Sequence, residues 1–187
     1  MSEVTAVPLR PVGKSGVVAL WVGIGLLLAA GVGGAMWATQ AAVNSAISAP
    51  DFLAKNGKRS GVVTTASGLE YEVLAPGAGA KPTAADVVRI DYDGKLTSGE
   101  AFDSSAKVGG PVTFPVAGLV PGFSEALQLM PKGAKYRVWI PPQLGYGMDE
   151  KRDPATGKVV IPGNAVLVFD ITMHDFGPMP AGAMPGM

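Results

Sequence analysis

Reactive side chains are scarce in this 187-residue sequence, and the scarcity narrows the chemistry available to it. There is no cysteine, which removes disulfides, thiol nucleophiles and thiolate metal sites together. A single histidine, His174, stands near the end of the chain, so a histidine-based metal cluster or a Ser/His/Asp triad lacks its material. His174 is expected at the surface or at a strand end. Gly13-Lys14-Ser15 looks like the end of a phosphate loop, but Pro8 occupies the place of the first glycine and no strand precedes it. The tail methionines Met179, Met184 and Met187 are soft donors, yet a Gly/Pro/Ala/Met tail carries them through composition alone. No metal and no cofactor is expected. Fifteen basic and fifteen acidic residues cancel, so no net charge draws the chain to nucleic acid.

The elements that must position any site begin with an uncharged run. Residues 15–38 carry no charge, and Val17 to Ala35 reads VVALWVGIGLLLAAGVGGA. A helix rises about 1.5 Å per residue, and roughly 20 apolar residues cross a hydrocarbon core. Trp21 and Trp37 fall near the two ends, where indole rings favour the headgroup level. Arg10 and Lys14 precede the run and the next basic residue is Lys55, which places the tail 1–14 in the cytoplasm and exports the rest of the chain. A cleaved signal is the alternative. Its apolar region spans about 7–15 residues, shorter than this one, and the small residues at 39–42 match a cleavage site poorly. A single-pass inner-membrane anchor is therefore expected, with the folded part periplasmic; oligomeric state stays open.

Residues 39–66 read as a linker in which Asp51 caps a short helix, DFLAKN, ended by Gly57. The tail 177–187 is expected to be disordered. Between them, 67–176 forms the one domain. Gly68 to Ala75, Val87 to Leu96, Val112 to Val116, Lys135 to Pro141 and Ala165 to Asp175 read as strands. The last is apolar on both faces near its start, as a strand covered from both sides would be. Pro121-Gly122 leads into FSEALQLM, whose Phe123, Ala126, Leu127 and Met130 share one helical face. The fold class is α+β: a curved, mostly antiparallel sheet of about five strands wrapped on one short α-helix, preceded by a single transmembrane helix.

The runs VVRIDYDGKLTSGEAFDSS, VPGFSEALQLMPKGAKYRVWIPPQLGYG and VIPGNAVLVFDI resemble, in order and spacing, the signatures of FKBP-type peptidyl-prolyl cis-trans isomerases. The resemblance covers about residues 67–176 and implies an enzyme that speeds X-Pro rotation in folding extracytoplasmic proteins. It also implies a proline pocket. Tyr92, Phe102, Asp103, Phe169 and Tyr146 match the family's catalytic positions, and Val120, Phe123, Ile161, Leu119 and Val160 its substrate-binding positions. By the same resemblance Phe123 is the floor, Tyr92, Phe102 and Phe169 the aromatic sides, and the Val120 N–H and Tyr146 hydroxyl the donors to the peptide. Asp103 would stand by the Tyr92 hydroxyl; its alternative is an Asx-turn residue serving local backbone donors. The partners implied are proline-containing segments of unfolded or nascent proteins.

Three features depart from the commoner family pattern. After FDSS the chain runs through AKVGG without the arginine many members carry, and Lys107 lacks that residue's fork of donors. Val112 and Phe123 stand where an aromatic and a tryptophan are frequent. MDEKRDPATGKV lengthens the loop between Tyr146 and Val160. From another class, a non-catalytic proline-peptide-binding holdase chaperone would keep the pocket and turn over poorly.

Overall fold

The structure, a computed structural model, describes residues 47–179. Its elements are α1 (Ala49–Asn56), β1 (Val62–Thr64), β2 (Glu70–Ala75), β3 (Asp86–Leu96), β4 (Ala101–Ser104), β5 (Val112–Pro115), α2 (Pro121–Leu129), β6 (Lys135–Ile140), β7 (Lys151–Arg152), β8 (Val159–Ile161) and β9 (Leu167–Pro178). The main sheet has seven strands in the order β1-β2-β6-β9-β3-β4, with β5 also on β3, and β7 and β8 form a separate hairpin. All these pairings are antiparallel.

All five expected strands and the helix after Pro121 are present. The strand number was too low: β1, β4, β7 and β8 are two to four residues long, too short for a period-2 pattern to emerge from the turns around them. The linker expectation also changes, because α1 and β1, within 39–66, are built into the fold. The helix cap is Ser48 rather than Asp51. Ser48 Oγ donates to Asp51 Oδ2 at 2.6 Å while accepting the Asp51 N–H at 3.4 Å, and Gly57 closes the helix. The expected anchor 15–38 lies outside the described residues, and so does the expected tail 177–187 from residue 180 on; Gly177 and Pro178, expected in that tail, instead end β9 and pair with Val87 and Asp86. Among the described residues, no helix is long and apolar enough to cross a membrane.

Alternation along the strands separates two faces. Val88 and Ile90 of β3, Tyr136, Val138 and Ile140 of β6, and Leu167, Phe169, Ile171 and Met173 of β9 turn inward and pack with Phe123, Ala126 and Leu127 of α2. Gly122 sits at the closest approach. A Cβ there would lie 2.5 Å from Ile140 Cγ2, so only glycine lets the helix settle on β6. On the outer face Trp139, Val166 and Val168 meet Ala49, Phe52 and Leu53 of α1. The double-sided apolar start of β9 seen in the sequence is thus covered by one helix per side.

A polar clasp holds α1 to β2. Buried Asn56 donates from Nδ2 to the Glu70 carboxylate at 2.7 Å, and Arg59 donates to Asn56 Oδ1 at 2.9 Å. The Arg59 guanidinium also lies 5.4 Å over the Trp139 ring. Burial pushes the Glu70 carboxyl above the ordinary glutamate range, with the Asn56 bond pulling the other way.

Replacing Asn56 by leucine leaves that carboxylate buried and unpaired, and should lower stability by about 2 kcal/mol in urea unfolding. Because Glu70 holds its proton more tightly when folded than when unfolded, its contribution to stability falls as pH rises from the ordinary value of 4.5. Glu70→Gln should flatten that decline; an unchanged stability–pH profile would refute the assignment.

Candidate functional site

The longest inner strand, β3, has an interrupted edge. Residues 87–90 pair with β5 and residues 93–95 pair with β4, leaving Asp91 and Tyr92 without a strand partner on that side. The chain between β4 and β5 makes a 3-10 turn, Ser105–Val108, closed by Gly109 at φ 91°. Buried Ser105 fills the gap: its Oγ accepts the Tyr92 N–H at 3.2 Å and donates to Asp91 Oδ1 at 2.9 Å. Ser104 Oγ donates to Asp93 Oδ1 at 2.8 Å, fastening the same turn from the outer side.

Around this gap the inward side chains form an aromatic cluster. Phe169 of β9 stands edge-on to Phe123 at the start of α2, with centroids 4.8 Å apart, and edge-on to Phe102 of β4 at 5.5 Å. Tyr92 lies 6.2 Å from both Phe123 and Phe169. Three of these four contacts are T-shaped and the Tyr92–Phe169 pair is tilted; the T-shaped ones place positive ring edges against negative faces, each worth roughly 0.5–1.5 kcal/mol beyond burial. The Tyr92 hydroxyl donates to Asp103 Oδ2 at 2.7 Å. Burial first, and the Asp103 carboxylate second, hold the phenol well above its ordinary pKa, so it stays a donor.

Of the ten residues singled out from the sequence, Tyr92, Phe102, Asp103, Phe123 and Phe169 are joined into one cluster by pairwise contacts. Ile161 is buried in the same core, and Leu119, Val120 and Val160 pack on it half-buried. Val120 is the N-cap of α2; its carbonyl accepts from Phe123 and Ser124, while its own N–H has no protein partner among the described residues. Tyr146 stands apart from the four rings, 37% exposed, with the Lys151 ammonium 4.8 Å over its face. The arrangement offers apolar ring surface and one internally bonded hydroxyl–carboxylate pair, and the Val120 N–H and Tyr146 hydroxyl are donors without a partner among the described residues. It suits holding a compact apolar ring next to a peptide group.

The Asp103 carboxylate takes the Tyr92 hydroxyl, and the local turn bond to the Ala106 N–H is made by Ser104. Lys107 reaches within 3.5 Å of Asp103 Oδ1 and donates to the Phe102 carbonyl at 2.7 Å. His174 is not at a strand end. It lies on the outer face within β9, its Nε2 2.6 Å from Asp91 Oδ2, and that bond chiefly holds the Asp91 carboxyl below the usual range.

Sequence reasoning missed four contributors. Phe114 of β5 lies 6.0 Å from Tyr92, a contact created by strand pairing that no local pattern reveals. Ser105 was visible only as turn chemistry, and Lys151 only as one charge in a polar loop. Gly94 left a signal, a glycine inside a β-branched and aromatic run, which marks close approach. A Cβ on it would lie 2.8 Å from both Phe102 Cε2 and Phe169 Cε1.

Comparison with known proteins identifies the family. The sequence model described as "FKBP-type peptidyl-prolyl cis-trans isomerase" matches residues 79–174, and that of the domain amino-terminal to it matches residues 34–73. FKBP-type peptidyl-prolyl cis-trans isomerase FkpA of Aeromonas hydrophila is 46% identical over 123 residues, covering 66% of this chain and 43% of the relative. Outer membrane protein MIP of Legionella longbeachae is 42% identical over 120 residues, 64% of this chain and 49% of the relative. The chain thus spans about half the length of these curated relatives. The crystal structure of FkpA from Escherichia coli superposes with TM-score 0.64 at 32% identity, covering 90% of this chain and 75% of that one.

Gly94→Ala tests the close approach. The added methyl must push Phe102 and Phe169 apart, and overpacking of this kind should cost about 1–3 kcal/mol in urea unfolding. Unchanged stability would mean that the rings move freely.

Proposed function

Because the chain belongs to the FKBP-type peptidyl-prolyl cis-trans isomerase family, we propose that it accelerates X-Pro rotation in unfolded or nascent extracytoplasmic proteins. The observation that carries this reading is the aromatic cluster of Tyr92, Phe102, Phe123 and Phe169, whose hydroxyl is turned onto Asp103.

The barrier to peptide rotation is about 18–20 kcal/mol because the C–N bond has partial double-bond character. No bond need be made or broken. Twisting removes the resonance and with it part of the charge separation, so an apolar, water-poor surface favours the twisted amide over the planar one. In this reading proline rests on Phe123, with Phe102, Tyr92 and Phe169 at its sides. The Val120 N–H and the Tyr146 hydroxyl, both without protein partners among the described residues, fix the flanking carbonyls. Asp103 occupies the Tyr92 hydroxyl and sets the polarity beside the rotating bond. Ile161, Leu119 and Val160 complete the apolar wall.

The 15–38 segment serves, in the same proposal, as a retained inner-membrane anchor with the isomerase domain in the periplasm. Intact chain mass and resistance to alkaline extraction of membranes are the expected outcomes. A shortened, soluble chain would point to a cleaved signal.

The decisive experiment measures cis-to-trans conversion of a short X-Pro peptide by the full chain and by folded variants. Tyr92→Phe and Asp103→Ala, each removing one charge-assisted bond, should lower kcat/KM about tenfold. Phe169→Leu, which keeps an apolar side chain but loses the edge-on ring contacts, should cost about 1–3 kcal/mol of stability and, under conditions where both chains are fully folded, should still lower kcat/KM. No acceleration by a folded wild-type chain, together with suppression of client aggregation, would replace the isomerase by the peptide-binding holdase.

A further inference from the structure

His174 is the only histidine of the chain, and an irregularity in the sheet aims it. Along β9 the register with β3 passes from Met173, opposite Ile90, to Asp175, opposite Arg89, so His174 is an extra residue in the ladder. A bulge of this kind turns a side chain out of strict alternation. Met173 and Phe176 pack in the core, while His174 and Asp175 between them both stay partly exposed. The Asp175 carboxylate pairs with Lys132 at 2.8 Å, and the His174 ring reaches Asp91.

From His174 a continuous line of hydrogen bonds leads through the sheet to the aromatic cluster. A carboxylate only accepts, so the His174 Nε2 carries the proton in its contact with Asp91 Oδ2 at 2.6 Å. Asp91 Oδ1 accepts the Ser105 hydroxyl, and Ser105 Oγ accepts the Tyr92 N–H. With its one hydrogen committed to Asp91, Ser105 presents a lone pair to Tyr92. Ser105 stands two residues after Asp103, and Asp91 immediately precedes Tyr92. Both partners of the Tyr92–Asp103 hydroxyl bond are therefore attached to the same line. Arg89, two residues back on β3, also draws the Asp91 carboxylate, and without His174 nothing on β9 opposes that pull away from Ser105.

We propose that His174 is a positioning residue for catalysis: acting through Asp91 and Ser105, it holds the turn after β4 where Asp103 can take the Tyr92 hydroxyl. This rests on the isomerase reading. His174 lies on the face of the sheet opposite the rings, so its loss lowers turnover without removing a substrate contact.

The test uses the full chain and compares His174→Leu, which removes the donor, with His174→Gln, whose amide can donate to Asp91 from nearly the same place. His174→Leu should lower kcat/KM for a short X-Pro peptide about threefold, and His174→Gln should restore most of it. With the four tyrosines labelled at the ζ carbon, the Tyr92 NMR signal, identified by its loss in Tyr92→Phe, should shift in His174→Leu toward its position in Asp103→Ala. Lys132→Gln, which breaks the neighbouring ion pair with Asp175, should leave both readouts unchanged. In a Ser105→Ala background His174→Leu should add nothing further. An unchanged rate or an unshifted Tyr92 signal in His174→Leu, a loss that His174→Gln fails to restore, or full additivity with Ser105→Ala overturns the proposal. A folded wild-type chain that does not accelerate the peptide overturns the isomerase reading; the Tyr92 signal, which needs no turnover, then decides the positioning by itself.

Discussion

The site depends on one break in a hydrogen-bond ladder. Strand β3 carries a full partner, β9, along one edge, but on the other edge β5 and β4 stop short of each other at Asp91 and Tyr92. A buried backbone N–H without a partner would cost roughly 1–3 kcal/mol, and the Ser105 hydroxyl removes that cost by accepting from Tyr92. The same hydroxyl donates to Asp91, whose second oxygen is engaged by His174 of β9. One serine therefore lets the chain leave the sheet for a turn, so that Phe102 and Asp103 arrive on one side of Tyr92 and Phe114 on the other. An uninterrupted ladder would have left no place for that turn.

Strand alternation carries the rest. Tyr92 and Gly94 turn inward from β3, and Phe169 from β9, so a period of two brings ring, space and ring to one face. The intervening residues form a second, polar system on the outer face. There Arg137 binds Asp170 through two bonds of 2.6 and 2.7 Å, and Asp91 meets His174. The Arg137 guanidinium holds the Asp170 carboxyl below the usual carboxylate range. These pairs link β6 to β9 and β9 to β3 behind the aromatic cluster. The cluster floor is thus backed by cross-strand bonds, and α1 covers the apolar end of that outer face.

How much of this was legible in the sequence depends on the range of each interaction. The four long strands and α2 announce themselves through local period, the four-residue β5 through its β-branched and aromatic residues, and Pro121 and Gly122 mark where the helix begins. Tyr92, Phe102, Asp103, Phe123 and Phe169 were recognisable because their motifs recur in a known order. What escaped is what pairing creates: Phe114 becomes a neighbour of Tyr92 only once β5 lies beside β3. The short strands escaped because two to four residues cannot display a period. The 39–66 segment looked like a tether because its apolar residues are few, yet Phe52 and Leu53 need only a small patch around Trp139, which faces away from the main core. Asn56 and Glu70, fourteen residues apart in sequence, gave no local sign of their bond.

The lysine near Asp103 shows how the polar part of the site is tuned. A guanidinium could engage both carboxylate oxygens in a planar fork and compete with Tyr92 for Oδ2. Lys107 does not. Its ammonium gives its short bond to the Phe102 carbonyl and only approaches Oδ1, and both partners are about half exposed to water. An exposed pair of this kind neutralises little charge. Asp103 therefore directs its carboxylate at the Tyr92 hydroxyl, which burial keeps protonated, and that single bond fixes the polar feature beside the rings. The apolar character of the ring cluster then rests on a hydroxyl being occupied rather than absent. Tyrosine supplies the ring area, and aspartate occupies the ring's one donor.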